Sequence, residues 1–227
     1  MNLNLEQLIK ICNAKCMISE NLVNQIDFKN IEIQHLLYDS RRLNFIDNTL
    51  FFAFKTTNND GHKYIKELYN KGIRLFICEE LQDLNQFPKA IFLLVKNSLE
   101  ALQKIAKYKR ENFHKEVVAI TGSNGKTIVK EWIIQLAQEN KKICYSPRSY
   151  NSQIGVALSL WQLNSNYDLG LFEAGISKPN EMTRLQEMIQ PTIGIFTNIG
   201  SAHQINFKTK KEKIEEKLKL FTTCKTL

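Results

Sequence analysis

The sequence predicts an α/β fold in which strands and helices alternate along the chain. Short apolar runs, such as residues 50–54 and 117–120, have the length of buried strands. Segments with helical spacing of apolar residues separate these runs. A glycine-rich loop at residues 121–127 stands between a strand and a helix. This alternation predicts a parallel sheet with helices on both faces.

The first half of the chain predicts a small α/β domain. Asn4 and Gln7 resemble a helix-capping pair and precede helical spacing of apolar residues. The next elements are expected to be a strand at 50–54, a helix from about 62 to Gly72, strands at 73–78 and 90–95, and a helix at 97–110. The polar stretch 110–115 separates a predicted N-terminal domain, residues 1–112, from a central domain, residues 113–227.

The second half predicts a parallel-sheet domain. Strands are expected at 117–120, around Ile143, at 169–172 and at 192–197. Helices are expected at 126–139, 155–161, 181–190 and 209–221.

Composition narrows the range of partners. The 227 residues include 31 Lys and Arg against 23 Asp and Glu, a net charge of +8 that suits a polyanion such as a nucleotide or a sugar diphosphate. No pattern of aromatic and basic residues for stacking bases is present, so we expect no nucleic-acid partner. The five scattered cysteines argue against a disulfide framework, and Cys12 with Cys16 is interpreted as packing in preference to a metal site. Lacking a signal peptide or a long apolar run, the chain is expected to be cytoplasmic, without membrane association.

The loop TGSNGKT at 121–127 has the order strand, loop, helix that a phosphate-binding site requires. Its glycines allow backbone N–H groups and the helix N-terminus to point at phosphate oxygens. Lys126 would neutralise the β- and γ-phosphates of ATP, and the Thr127 hydroxyl would bind Mg²⁺. The widespread P-loop pattern has glycine where Ile120 stands, so this loop indicates a particular subfamily; the alternative is a chance Gly-Lys-Thr at a turn. The expected nucleotide-binding residues are Gly122, Ser123, Asn124, Gly125, Lys126 and Thr127.

Further motifs, together with this loop, resemble the Mur ligase family over nearly the whole chain. They are YNSQIGV at 150–156, FEAGIS at 172–177 and TNIGSAH at 197–203, with DSR at 39–41, LFFAF at 50–54 and DGH at 60–62 in the first half. The pattern is most similar to members that join D-alanyl-D-alanine to UDP-N-acetylmuramoyl-tripeptide, in particular those fused to an alanine racemase. The resemblance implies an N-terminal UDP-sugar-binding domain, an incomplete ATP-binding domain, ATP and two Mg²⁺ sites, and amide synthesis through an acyl phosphate.

The resemblance also implies roles for individual residues. Glu173, at the end of an apolar run, and His203 would hold Mg²⁺, and Lys217 would be carbamylated near the metal. Lys126, His203 and Lys217 are therefore the expected catalytic residues. Taking Ile214, Leu218 and Phe221 as the buried stripe of the last helix places Lys217 beside that stripe and Lys213 away from it, with Lys210 as the alternative to Lys217.

Substrate contacts are expected in both halves. Asn151 and Ser152 resemble the substrate loop of the family. Ser40 and Arg41 would bind the uridine diphosphate, since arginine pairs with diphosphate oxygens in two-pronged fashion. Asp60 and His62 are expected to shape their loop.

Three functional hypotheses remain at this level. In the Mur ligase family the central domain continues and a third domain follows, so we expect this polypeptide to represent the N-terminal portion and to turn over little alone. A non-catalytic nucleotide- or UDP-sugar-binding fragment is the second hypothesis. The third is another P-loop NTPase, either a switch or motor or a relative of folylpolyglutamate synthase, which has no UDP-sugar domain of the kind that DSR and DGH suggest.

Overall fold

A computed structural model describes residues 3–23, 25–57, 59–200, 206–207 and 209–227. The chain divides into two compact units, Met1–Lys104 and Ile105–Leu227. Each unit contains a sheet with helices, which confirms the predicted α/β class. Among the described residues, no helix has both the length and the apolar character needed to cross a bilayer.

The first unit is built on a five-stranded sheet. Its strands stand in the order β2-β7-β6-β5-β4; β2 is antiparallel to β7, and the other neighbours are parallel. A separate antiparallel pair joins β1 and β3. The elements are β1 Leu3–Asn4, α1 Leu5–Cys12, β2 Lys15–Met17, α2 Glu20–Val23, β3 Glu32–Ile33, β4 His35–Leu37, β5 Thr49–Phe52, α3 Ile65–Asn70, β6 Leu75–Cys78, β7 Ile91–Leu94 and α4 Ser98–Glu111, the last of which continues into the second unit.

Local sequence signals account for several of these elements. Asn4 caps α1 through a reciprocal pair of hydrogen bonds with Gln7, at 2.9 and 3.0 Å. All residues of β5 are buried, as expected for a strand with another strand on each side. The predicted helix from 62 to 72 is a 3-10 turn, Gly61–Tyr64, followed by α3, and Gly72 follows it with a φ of +106°.

The second unit is built on a four-stranded sheet in which all neighbours are parallel, in the order β11-β8-β10-β9. The elements are β8 Val117–Thr121, α5 Lys126–Ala137, β9 Ile143–Tyr145, α6 Gln153–Trp161, β10 Leu169–Glu173, α7 Glu181–Ile189, β11 Ile193–Phe196 and α8 Lys210–Leu218, followed by a 3-10 turn, Lys219–Phe221. The predicted parallel sheet is confirmed.

Side-chain alternation shows that chain segments cover both faces of this sheet. On one face, Ile120 and Leu171 pack against Ile134 of α5. On the other face lies Gly194, where a Cβ would come within 2.4 Å of the Phe221 ring. Gly194 therefore leaves space for the 3-10 turn after α8, and the prediction of helical segments on both faces is confirmed.

The carboxyl ends of the strands meet at one edge of the sheet. Glu173, the last residue of β10, is level with Ile120, and Phe196 of β11 is level with Thr121 of β8. The loops that follow these strands are thus brought together, at the edge where open α/β sheets bind ligands.

Candidate functional site

The phosphate loop connects β8 to α5 through two glycines in left-handed conformations. Gly122 has a φ of +147° and Gly125 a φ of +82°. A Cβ on Gly122 would lie 1.9 Å from Thr197 Oγ1, so only glycine fits there. Gly125 is the N-cap of α5 and supplies no side-chain cap to its first turn. The N–H groups of that turn have no intrahelical partner and form a site for an anion.

The segment after β11 braces this loop. The N–H groups of Ser123 and Asn124 donate to the backbone carbonyl and the side-chain oxygen of Asn198, at 2.8 and 3.1 Å. Thr197 Oγ1 donates to the Asn124 carbonyl at 2.6 Å. The N–H groups of Ser123 and Asn124 are thus engaged with Asn198, whereas the first turn of α5 has no side-chain cap.

Three lysine side chains converge on the backbone of these loops. Lys126 Nζ and Lys217 Nζ each donate to the Gly122 carbonyl at 3.0 Å, and Lys213 Nζ donates to the Gly200 carbonyl at 2.7 Å. Burial lowers the pKa of all three amines. Burial, followed by the positive charges of Lys126 and Lys213, lowers the pKa of Lys217 to about 8. Three lysine amines gathered at adjacent loops, with Lys213 and Lys217 buried and Lys126 half-buried, are suited to a polyanion.

The burial of α8 corrects the predicted stripe of the last helix. Leu218 is 42% exposed, whereas Lys213 is 1% exposed and Lys217 3% exposed. The prediction that Lys213 points away was therefore wrong, while the expected burial of Lys217 is found on a different stripe. The reason is that the inner side of α8 packs on polar backbone: Lys213 and Lys217 reach loop carbonyls, and Glu216 accepts the Met182 N–H at 3.1 Å. Lys210, the alternative to Lys217, is exposed.

Glu173 is fully buried at the tip of β10 and faces the phosphate loop. Its Oε2 accepts a hydrogen bond from Thr127 Oγ1 at 3.0 Å, and Thr127 Oγ1 lies 3.4 Å from Ser149 Oγ. Its Oε1 lies 3.0 Å from Lys130 Nζ but accepts no hydrogen bond from the described residues. A buried carboxylate whose Oε2 lies beside a threonine hydroxyl offers the hard oxygen donors that suit Mg²⁺. His203, the other expected metal ligand, lies outside the described residues.

Lys130 is a component of this site that the sequence interpretation missed. It is fully buried one turn after Lys126, and its Nζ donates to the carbonyls of Ser146 at 2.8 Å and Arg148 at 2.5 Å. The available signal was its spacing, because Lys130 stands four residues before Ile134 on the side of α5 that faces the sheet.

The loop after β9 brings the expected substrate residues to the same edge. Ser152 caps α6 by accepting the Gly155 N–H at 3.2 Å, which gives its hydroxyl a structural role. Asn151 accepts the Gly175 N–H through its carbonyl at 2.8 Å, and a Cβ on Gly175 would lie 2.9 Å from its side chain. Asn151 thus packs against the chain two residues beyond Glu173.

The expected uridine diphosphate residues lie in the first unit. Asp39 caps the 3-10 turn Ser40–Arg42, and Arg41 forms a two-pronged pair with it, both N···O distances being 2.8 Å. The hydrogen bond from Arg41 lowers the pKa of Asp39 to about 2. The Arg41 side chain is 86% exposed, so its guanidinium remains accessible.

Asp60 and His62 shape their loop, as their positions in the DGH motif suggested. Asp60 Oδ1 accepts the His62 N–H and lies 2.7 Å from its Nδ1, and His62 Nε2 accepts the Glu79 N–H at 2.9 Å. Because Nε2 is the acceptor, Nδ1 carries the proton. Both ring nitrogens are thus engaged, which argues against a metal site formed with the nearby Glu80.

Comparison with known proteins places both halves of the chain in one family. The profile of the Mur ligase middle domain matches residues 120–226, and that of the Mur ligase family catalytic domain matches residues 32–110. The chain is 34% identical over 204 residues to the UDP-N-acetylmuramoyl-tripeptide--D-alanyl-D-alanine ligase of Borreliella burgdorferi, in an alignment covering 86% of this chain and 44% of the relative.

Solved structures show the same likeness. The MurF ligase of Thermotoga maritima in complex with ADP has 28% identity and a TM-score of 0.74, over 86% of this chain and 45% of that one. MurF from Acinetobacter baumannii shares the fold, with a TM-score of 0.86 at 23% identity, over 99% of this chain and 47% of that one. The chain thus spans about half the length of the relatives it matches. With matching profiles in both halves, it belongs to the Mur ligase family.

Proposed function

We propose that this chain is the nucleotide-binding and UDP-sugar-binding portion of an ATP-dependent ligase of peptidoglycan precursor synthesis. The proposed reaction joins D-alanyl-D-alanine to UDP-N-acetylmuramoyl-tripeptide, the activity named for its Borreliella burgdorferi relative. One observation carries the proposal: Lys126 and the buried Lys217 donate to the phosphate loop, the buried Lys213 donates to the neighbouring loop, and a buried carboxylate contacts the threonine of the phosphate loop.

In the ATP site, the N-terminus of α5 and Lys126 bind the phosphates. Thr127 and Glu173 present the oxygens that would hold Mg²⁺, with His203 assigned to a second ion by family resemblance. The metal would supply positive charge to the phosphate oxygens during transfer. Lys217 is the proposed site of carbamylation, because only the neutral amine adds carbon dioxide and burial makes that form accessible near pH 8.

The substrate residues are assigned to two regions. Ser40 and Arg41, in the proposed N-terminal domain of residues 1–112, bind the diphosphate of the UDP-sugar. Asn151, in the proposed central domain of residues 113–227, hydrogen-bonds the muramoyl or phosphate portion, and Ser152 holds the start of α6 beside it.

The proposed reaction consists of a phosphoryl transfer followed by an acyl transfer. The tripeptide carboxylate attacks the γ-phosphorus of ATP, the bond to the bridging oxygen breaks, and ADP leaves. The amine of D-alanyl-D-alanine then attacks the acyl phosphate carbon, and inorganic phosphate leaves as the amide forms and the amine loses a proton. The described residues position the phosphates and offset their charge, which is the main protein contribution to phosphoryl transfer.

The chain spans about half the length of the matched ligases, and its described residues account for binding groups of a nucleotide site. A nucleotide- and UDP-sugar-binding fragment is therefore the second candidate function.

Ligand-induced thermal stabilisation tests the proposal. Mg·ATP or UDP-N-acetylmuramoyl-tripeptide at about ten times its Kd should raise the Tm of the chain by about 3–6 °C. Lys126→Ala should abolish the shift with Mg·ATP and keep the shift with the UDP-sugar. Lys211→Ala, which removes an exposed lysine on α8, is the matched control and should keep both shifts.

The Tm shifts test two separate assignments, the ligase function of the chain and the binding of phosphate by residues 121–127. A wild-type chain that shows no shift with either ligand contradicts the ligase assignment. A shift with Mg·ATP that survives Lys126→Ala contradicts the assignment of phosphate binding to this loop.

A further inference from the structure

We propose that Lys130 is a positioning residue that fixes which oxygen of Glu173 faces the phosphate loop and ties that carboxylate to the loop after β9. This inference rests on the proposed function, because it concerns the divalent cation of the ATP site. Lys130 itself touches neither the nucleotide nor the metal in this assignment.

The Lys130 ammonium joins three separate segments of the second unit. It lies 3.0 Å from Glu173 Oε1 and donates to the carbonyls of Ser146 and Arg148 at 2.8 and 2.5 Å. Lys130 Nζ thus forms two hydrogen bonds to carbonyls of the loop after β9 and an ion pair with the carboxylate at the tip of β10. The partly exposed carboxylate of Glu131 lies 3.2 Å away on the outer side.

Burying the Lys130–Glu173 ion pair costs free energy unless further polar contacts offset the loss of water. Lys130 and Glu173 side chains are both 0% exposed. Desolvating two charges costs several kcal/mol each, and their attraction offsets this only with good geometry and further hydrogen bonds. A methionine at position 130 would fill similar space but would leave the buried Glu173 carboxylate without its cation, so the lysine both offsets that charge and sets the direction of the contact.

These contacts give the two oxygens of Glu173 different roles. Oε1 is turned toward Lys130, and Oε2 accepts the hydrogen bond of Thr127 Oγ1. With Oε1 held in this direction, Glu173 presents a single oxygen beside the threonine hydroxyl. Mg²⁺ demands near-ideal octahedral geometry and is usually bound through only one or two carboxylates, so a carboxylate fixed to offer one oxygen suits it.

The same ammonium restrains the loop that carries the substrate residues. Arg148 has a φ of +51°, a left-handed conformation that costs a non-glycine residue free energy, and its carbonyl accepts the bond from Lys130. The loop continues to Ser149, beside Thr127, and to Asn151, beside Gly175. Lys130 therefore connects the Glu173 carboxylate, the proposed metal ligand, to the loop after β9, which carries the expected substrate residues Asn151 and Ser152.

The test is ADP binding to the 227-residue chain, measured with excess EDTA and with Mg²⁺. Magnesium should strengthen ADP binding by the wild type. Lys130→Met should weaken binding in Mg²⁺ by about 10- to 100-fold, the range for residues that orient metal ligands. It should leave the metal-free affinity unchanged, since the amides of α5 and Lys126 remain. Glu173→Gln should give the same pattern, and the double variant no further loss. Lys141→Met, at an exposed lysine, is the control.

Two results overturn the inference. If Lys130→Met keeps the full effect of magnesium, Lys130 does not orient the carboxylate. If it weakens binding equally with and without magnesium, its role is purely structural. Failure of the proposed function looks different, because the wild type itself would then bind no ADP.

If Lys130→Met does not fold, the conservative variant Lys130→Arg tests whether Lys130 orients Glu173. Lys130→Arg keeps the positive charge, but its planar guanidinium cannot reproduce the three contact directions of the ammonium. A smaller magnesium effect at unchanged metal-free affinity supports the inference. An unchanged magnesium effect in Lys130→Arg overturns it.

Discussion

Two carboxylate–cation pairs, one in each unit, illustrate different uses of the same chemistry. Asp39 and Arg41 form a two-pronged pair with N···O distances of 2.8 Å, and the arginine side chain is 86% exposed. Lys130 and Glu173 form a pair at 3.0 Å in which both side chains are fully buried. The exposed pair is screened by water, so separating its two members should cost little stability. The buried pair cannot lose one member without leaving an uncompensated charge, so it fixes geometry.

The buried region should be the more sensitive to substitution, and the largest effect is expected at Gly122. Gly122→Ala places a Cβ 1.9 Å from Thr197 Oγ1 and 3.1 Å from the Asn198 backbone, at a φ of +147°. We expect loss of ADP binding and a clear drop in the free energy of unfolding, measured by chemical denaturation.

Gly125→Ala distinguishes the cost of a positive φ from the cost of a steric clash in the same denaturation experiment. A Cβ on Gly125 would have no neighbour closer than 4.0 Å, but its φ is +82°. It should cost only the conformational penalty, about 1–2 kcal/mol. Equal destabilisation by the two substitutions would contradict the packing described for Gly122.

An intermediate effect, which depends on pH, is expected at Lys217. Its pKa falls from the ordinary value of 10.5 to about 8 on folding, so the folded state releases a proton that the unfolded state retains. Between pH 8 and about 10, the unfolded state binds more protons, and the free energy of unfolding rises with pH through this group. Below pH 8 the Lys217 amine is charged in both the folded and the unfolded state, so the full cost of burying that charge lowers the free energy of unfolding.

Substitution of Lys217 should remove this pH dependence. Denaturation of Lys217→Met between pH 7 and 10 should show a shallower rise of unfolding free energy than the wild type. Lys210→Met, at an exposed lysine of the same helix, should follow the wild type. Identical slopes for wild type and Lys217→Met would contradict the lowered pKa.

The smallest effect on stability is expected in the exposed pair. Arg41→Ala should leave the Tm unchanged, because the side chain is open to solvent. It should nevertheless weaken binding of UDP-N-acetylmuramoyl-tripeptide, measured by calorimetry, because the proposed contact of Arg41 with the diphosphate would be lost. Arg42→Ala, at the adjacent arginine of the same turn, is the control and should bind the UDP-sugar as the wild type does. Equal binding by Arg41→Ala and wild type would remove Arg41 from the site.

The parts of the site that local sequence order determines were predictable. The strand, the loop and α5 are contiguous in the chain, and Glu173 ends an apolar run, so its place at the carboxyl edge follows from parallel-sheet geometry. The capping pair of α1 is likewise a local signal.

The parts that depend on polar packing were not predictable from hydrophobic periodicity. Lys213 lies on the buried side of α8 because a loop carbonyl there accepts its hydrogen bond, whereas apolar Leu218 is half exposed. Lys130 is buried because two carbonyls and a carboxylate surround it. Such contacts arise from residues distant in sequence, and a pattern of apolar positions carries no information about them.

The lysines that donate to Gly122 and Gly200, namely Lys126, Lys213 and Lys217, link the binding of an anion to their own protonation. Counted from composition, the chain carries an excess of eight cations, yet at three of them burial shifts the equilibrium toward the uncharged amine. A polyphosphate bound beside these amines would favour their protonated forms, so occupancy of the site and protonation are thermodynamically linked. For an uncarbamylated Lys217, whose pKa is about 8, binding of such an anion near that pH would be accompanied by proton uptake.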